Sequence, residues 1–267
     1  FRKGTTGAYE TVIANSTSLV NKNIYFPSGT EGDMYSAYAE VTDYVKVNGI
    51  GEYFVADIAT IEGNGGNTGY YGGWGMVVVY ENSQMNWRDV TVFDGHAYVQ
   101  GSTTIDYTFD VNGFNTAQSG HINLKLGVMA GEGDVGVTGD YFEIQRQDNN
   151  QFERLSHSTN STTNFFNSSI NTGGNARNPN LVNNTGVDIS MFSIDNTGNG
   201  VITNNQNQTT FRYGSTQDTY VIFNVTFSVD SYVPEVTGVI TNTSINGIPN
   251  PAPVIIEPGQ SAQYKLE

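Results

Sequence analysis

Met76, Val77, Val78, Val79 and Tyr80 form an unbroken β-branched and aromatic run, fenced by Gly72-Gly73 on one side and by Glu81-Asn82-Ser83 on the other. Such residues favour strands, and a strand that is apolar at consecutive positions has no polar side to turn to water. The run is therefore expected to be a central strand covered on both faces, which commits the chain to a layered β-structure. A polar connection over residues 82–88 then leads to Asp89-Val90-Thr91-Val92-Phe93, which alternates, puts Val90 and Val92 on one face and closes on the turn pair Asp94-Gly95. Two neighbouring strands at the middle of a sheet are expected here.

Much of the remaining chain repeats the period of two. Ile105, Tyr107, Phe109 and Val111 share one face of a strand over 103–111, and Ile122, Leu124, Leu126 and Val128 do the same. Further strands are expected at 19–26, 52–61, 141–145, 209–213 and 220–233, the last with Val221, Phe223, Val225, Phe227 and Val229 facing one way. The spacing changes only at 35–47, where Tyr38, Val41, Tyr44 and Val45 recur at three and four before Asn48-Gly49 and predict a helix, and at 187–192, read as a second helical turn. Residues 1–11 read as a lead-in or an added edge strand. Residues 149–180, rich in Asn, Ser and Thr around one apolar island at Phe165-Phe166, read as a long ordered loop. The fold class expected is all-β, a jelly-roll or Greek-key β-sandwich with one or two short helices. Residues 1–233 would form the sandwich, and 234–267 a linker followed by the opening strands of a further unit or a strand that completes a neighbour's sheet. In that tail, 236–240 is extended, Pro249-Asn250-Pro251 is a stiff spacer, and 254–256 and 261–266 read as strands around a turn.

Charge narrows the partners. With 11 Lys plus Arg against 26 Asp plus Glu, the net charge of −15 is wrong for a phosphate backbone and suits divalent cations. No nucleic acid is expected. The absence of cysteine excludes disulfides and thiolate sites. No apolar stretch approaches the roughly 20 residues needed to cross a bilayer, and a chain that starts at Phe1 reads as a mature, processed or excised segment.

Candidate sites are few. Glu132, Asp134 and Asp140, with Asp94 or Asp110, would offer hard oxygen ligands to Ca²⁺ in a glycine-rich turn, although the EF-hand pattern is missing and Asp beside Gly is also ordinary turn chemistry. The same carboxylates would serve a glycosidase only at a suitable separation. His96, His121 and His157 lack metal or triad spacing, and no nucleophile elbow, phosphate loop or metalloprotease motif occurs. A non-enzyme is expected. Tyr70, Tyr71 and Trp87 lie beside turns where aromatic faces stack on sugars, whereas Trp74 is expected to pack in the core.

Several ordered blocks carry a resemblance. Residues 39–45 (AEVTDYV), 51–58 (GEYFVADI), 71–80 (YGGWGMVVVY), 88–95 (RDVTVFDG), 132–140 (EGDVGVTGD), 164–170 (NFFNSSI) and 176–180 (ARNPN) together resemble an N-terminal module of very large secreted bacterial surface proteins, some of them adhesin-like or gliding-motility-associated giants of the Bacteroidetes. The tail, with Thr241-Asn242-Thr243 and Glu257-Pro258-Gly259-Gln260, resembles the start of the immunoglobulin-like repeats that follow such modules. The resemblance implies a secreted, cell-surface location and an adhesion or display role, with glycans, host or substratum surfaces and neighbouring repeats as partners. It carries over no catalytic residue. The alternative is a filament subunit assembled by β-strand addition to another copy of itself.

Overall fold

The structure, a computed structural model, describes residues 1–14, 24–25, 31–58, 60, 63–64, 70–102, 105–233, 240–249 and 259–266. The chain divides into two compact units, Phe1–Tyr232 and Val233–Glu267. The first opens with short elements: β1 (Arg2–Lys3), β2 (Ile24–Tyr25), β3 (Ser36–Ala37), the helix α1 (Thr42–Asn48) and β4 (Tyr53–Phe54). Its body is built from β5 (Arg88–Val99), β6 (Tyr107–Asn112), β7 (Leu124–Gly131), β8 (Asp140–Gln145), β9 (Phe152–Arg154), β10 (Ile170–Thr172), β11 (Val187–Ile194), β12 (Gln208–Ser215) and β13 (Tyr220–Asp230). The second unit holds β14 (Ile240–Ile245), β15 (Ile248–Pro249) and β16 (Ala262–Leu266).

The body is a two-sheet β-sandwich. One sheet runs β10-β11-β7-β13-β5 and the other β6-β12-β8-β9. Apart from the parallel strand β10, every pairing in both is antiparallel. The chain passes from one sheet to the other at almost every connection, and the resulting order is that of a jelly roll. Alternation drives the packing: Leu124, Leu126, Val128 and Ala130 of β7 are buried while Lys125 between them is exposed. Across the gap, Phe211 of β12 meets Phe227 of β13 with ring centroids 5.5 Å apart, and Phe109 of β6 meets Phe93 of β5 at 6.0 Å. The 149–180 segment, expected as one long loop, carries β9 and β10, and Leu155 and the Phe165-Phe166 island enter this core, with Phe142 and Tyr220 stacked on the island at 5.7 and 4.2 Å.

The 76–80 run is not a strand. It pairs with no strand of the described residues, and its five residues are 36 to 68% exposed. The preceding residues lie flat on the outer face of the five-stranded sheet, where a side chain at Gly73 would collide with Val187 and one at Gly75 with Met129. Glycine lets the backbone approach there, and beyond it the chain leaves the sheet. The middle of that sheet belongs to β7, flanked by β11 and β13, and β5, paired on one side with β13, is an end strand. Asp94-Gly95 does not turn the chain either. β5 runs through it, and an irregularity that sets Asp94 against Asn224 and Ala97 against Ile222 absorbs the pair.

The same irregularity breaks the even alternation expected of β13. Val225, Phe227 and Val229 face the core, but on the far side of the shift it is Ile222 rather than Phe223 that pairs with inward Ala130, and Val221 pairs with outward Gly131. Residues 187–192 form strand rather than helix, because the apolar positions Val187, Ile189 and Met191 sit opposite Gly131, Met129 and Gly127 on the outer face. Their three-and-four spacing mimicked a turn only because Phe192 lies on the other face. The helix at 35–47 shrinks to α1 and stops before Gly49 as expected. Of the strand expected at 52–61, the described residues form only β4, paired with β1, so residues 1–11 do add a short edge strand. From the expected strand at 19–26, only β2 falls within the described residues.

The second unit is a three-stranded antiparallel sheet ordered β15-β14-β16. Asn246 and Gly247, with φ of 49° and 77°, make the two-residue hairpin between β14 and β15. The strand expected at 261–266 is β16, whereas 254–256 and 236–239 lie outside the described residues.

Candidate functional site

At one end of the sandwich β7 finishes, β8, β11 and β13 begin, and two loops, 131–139 and 165–169, fold in towards each other. Backbone amides in such turned segments lack ladder partners, and acidic side chains take them up. Phe166 N–H donates to Asp140 Oδ2 at 2.6 Å. The N–H groups of Asn167 and Ser169 donate to Asp188 Oδ1 at 2.9 and 3.1 Å, and that of Asp134 to Asp218 Oδ2 at 3.1 Å. Ser168 Oγ–H donates to the Gly133 carbonyl at 2.6 Å, tying the loops together. A Cβ on Gly133 would sit 2.5 Å from the Phe166 carbonyl oxygen and 2.6 Å from Asp188 Oδ2, so only glycine fits between them.

These carboxylates are out of water. Asp140 is 0%, Asp188 2% and Asp218 3% exposed, and Glu132 is half-buried. Asp140 Oδ1, Asp188 Oδ2 and Glu132 Oε2 are buried with no hydrogen-bond partner. Burial pushes the Asp188 carboxyl up to about 7 against the pull of the Ser169, Ser168 and Asn167 amides, with the Asp140 charge adding to the rise. Burial, then the neighbouring charges of Asp218 and Asp134, raises Glu132 to about 7. Asp218 reaches about 7 and Asp140 about 6, in both cases mainly through burial.

Of the acids expected to gather, Glu132 and Asp140 enter this cluster from different elements, and the carboxylate of Asp134 stands exposed at its rim. Asp94 and Asp110 lie elsewhere, the first accepting from Asn224 Nδ2 at 2.8 Å and the second from Thr210 Oγ1 at 2.7 Å. Among the described residues no group of three or more His, Asp or Glu side chains stands in an arrangement that would hold a metal ion. Asp188 and Asp218 escaped the sequence reading. The signal for Asp188 was its place in a strand-period segment, which the helical reading of 187–192 hid; Asp218 sits in a polar turn like many others in this chain.

The expected aromatic platforms part company. Tyr70 and Trp87 are exposed, and so is Trp74, which is not a core residue. Tyr71 is packed instead: its ring lies against Gly131 and Gly186, and its hydroxyl meets Met34 Sδ at 3.1 Å. Glycine on the underlying strand leaves the space that draws it in.

Two histidines acquire polar partners. His96 Nδ1 is 2.8 Å from Ser36 Oγ and its Nε2 3.2 Å from Glu31 Oε2, the outline of a serine–histidine–acid trio, but the imidazole is only 2% exposed. His157 lies 2.9 Å from Ser190 Oγ and 2.9 Å from the Asn171 amide, and burial lowers its pKa to about 4. Two surface hollows, of about 450 and about 190 Å³, are lined by Asn112–Asn115 with Asn207 and Gln208, and by residues of the 158–180 segment, Ile170 and Arg177 among them. Neither contains a member of the carboxylate cluster. Comparison with protein-family models, with curated proteins and with solved structures returns no match. Among the described residues no helix is long and apolar enough to cross a membrane.

Proposed function

We propose that this chain is a non-enzymatic extracellular adhesion and surface-display module of a bacterial cell-surface protein. The observation that supports the reading is the set of exposed aromatic and aliphatic side chains in one stretch of chain, Tyr70, Trp74, residues 76–80 and Trp87, which lies against the jelly roll at Gly73 and Gly75. Apolar surface of this extent marks a contact made with something else, and flat indole and phenol rings suit sugar faces as well as apolar surfaces. The test is retention of the whole chain on polysaccharide-coated beads. Replacing Tyr70, Trp74 and Trp87 together by Ala lowers retention about tenfold, the loss expected when aromatic anchors are removed, and leaves the melting temperature unchanged. Retention equal to that of the parent overturns the reading.

A second reading, a filament subunit assembled by strand addition, rests on a different observation: β5, twelve residues long, ends its sheet and offers an edge. On this reading the intact chain sediments as polymers, and deleting residues 254–267 returns it to folded monomers. Polymers that survive the deletion remove it.

A further inference from the structure

A carboxylate taken out of water needs a donor, a counter-charge or a proton. At the loop end of the sandwich the donors are already spent on Asp140 Oδ2, Asp188 Oδ1 and Asp218 Oδ2, while Asp140 Oδ1, Asp188 Oδ2 and Glu132 Oε2 are buried without partners. Counter-charge is scarce. Arg154 from β9 acts on Asp140, but its Nε already donates to Glu143 at 3.2 Å. The other titratable neighbours add none: Asp134 at the rim, Tyr220 of β13 beside Asp140, and Tyr71 and Tyr98 on the Glu132 side. At Gly133 two acceptors, Asp188 Oδ2 and the Phe166 carbonyl oxygen, crowd the same spot. A proton on Oδ2 removes its charge and gives it a hydrogen to donate in a place otherwise supplied only with acceptors.

We propose that this end of the sandwich is a proton-operated clasp, in which protons on the unpartnered oxygens of Glu132, Asp140 and Asp188 hold loops 131–139 and 165–169 together, and loss of those protons loosens both loops. The upward titration of these groups by burial agrees with it. The sign follows from linkage: carboxyls whose folded pKa stands above the unfolded value of about 4 stabilise the closed end fully below that value, and the contribution drains away as pH rises towards about 7. The clasp is closed in acid and loose in mild alkali.

Amide hydrogen exchange on the whole chain, corrected for the intrinsic pH dependence of the rate, tests this. Protection of the Asn167 and Ser169 amides falls at least about tenfold between about pH 5 and about pH 8, while Leu126 in the core stays constant. In Asp188→Asn, whose amide supplies a donor at every pH, the loss shrinks to the share carried by Glu132 and Asp140. Equal protection at both pH values overturns the proposal, as does an Asp188→Asn profile identical to the parent's. Should that variant not fold, carbon-detected titration of the parent's Asp140 and Asp188 carboxyls decides, and midpoints near the ordinary aspartate value overturn it. Calcium added at the higher pH leaves the loops loose; full recovery of protection would make the cluster a cation site instead.

Discussion

Single residues in this protein act mostly through saturation of hydrogen bonds. Asn196, buried, donates to the carbonyls of Ile122 and Ile202 at 2.9 Å each and accepts from the N–H groups of Val201 and Ile202 at 3.0 Å each. Removing that side chain strands four buried backbone groups. Asn196→Ala is therefore expected to cost about 3 kcal/mol, read as a lower midpoint in guanidinium unfolding. Nothing in the sequence distinguishes Asn196 from its many fellow asparagines, since the signal is tertiary. His157 provides a pH prediction of the opposite sign to the carboxylates. Its folded pKa is lowered to about 4, so its neutral form stabilises the fold above the unfolded value of about 6.5, and that share is lost as pH falls towards 4. His157→Gln should flatten the acid limb of a melting-temperature profile; an unchanged slope from about pH 6.5 to about pH 4 would count against it.

Elements show where alternation suffices and where it does not. Strands β6, β7, β8 and β12 were legible because a period of two with one polar face leaves a single way to pack. The 76–80 run was misread because propensity says that a segment is extended, not that it has a neighbour. β13 obeyed its period only up to the bulge, which no composition signals. Outside the core, Glu143 is 4% exposed in its side chain and is clamped between Arg212 of β12 and Arg154 of β9, its register neighbours on either side. Arg212 also lies over the Phe152 ring at 4.2 Å, and Arg154 over Tyr141 at 4.6 Å. Glu143→Ala leaves two guanidinium groups without their shared partner, and a loss of about 3 kcal/mol is expected, measured by chemical denaturation of the whole chain. Phe166→Ala, which empties the loop's anchor between Phe142 and Tyr220, should cost about 3 to 5 kcal/mol.

At the scale of the molecule, the hydrophobic core among the described residues lies within the first unit, from Val99 to Val229. A chain ending at Tyr232 is thus expected to melt within about 2 °C of the full chain, as followed by calorimetry; a larger fall would mean that the second unit supports the first. The sequence by itself determined that the chain is all-β and that its core is built from alternating strands, because burial of one face imposes a period of two whatever the partner strand. It also determined the net charge of −15, since charge is additive and needs no geometry. Only the tertiary structure decided which strand lies in the middle of a sheet and that the valine run stays outside it. It alone brought Glu132, Asp140, Asp188 and Asp218 to one end of the sandwich. Strand order and the meeting of loops depend on contacts between residues far apart in the chain, and local patterns of side chains carry no record of those distances.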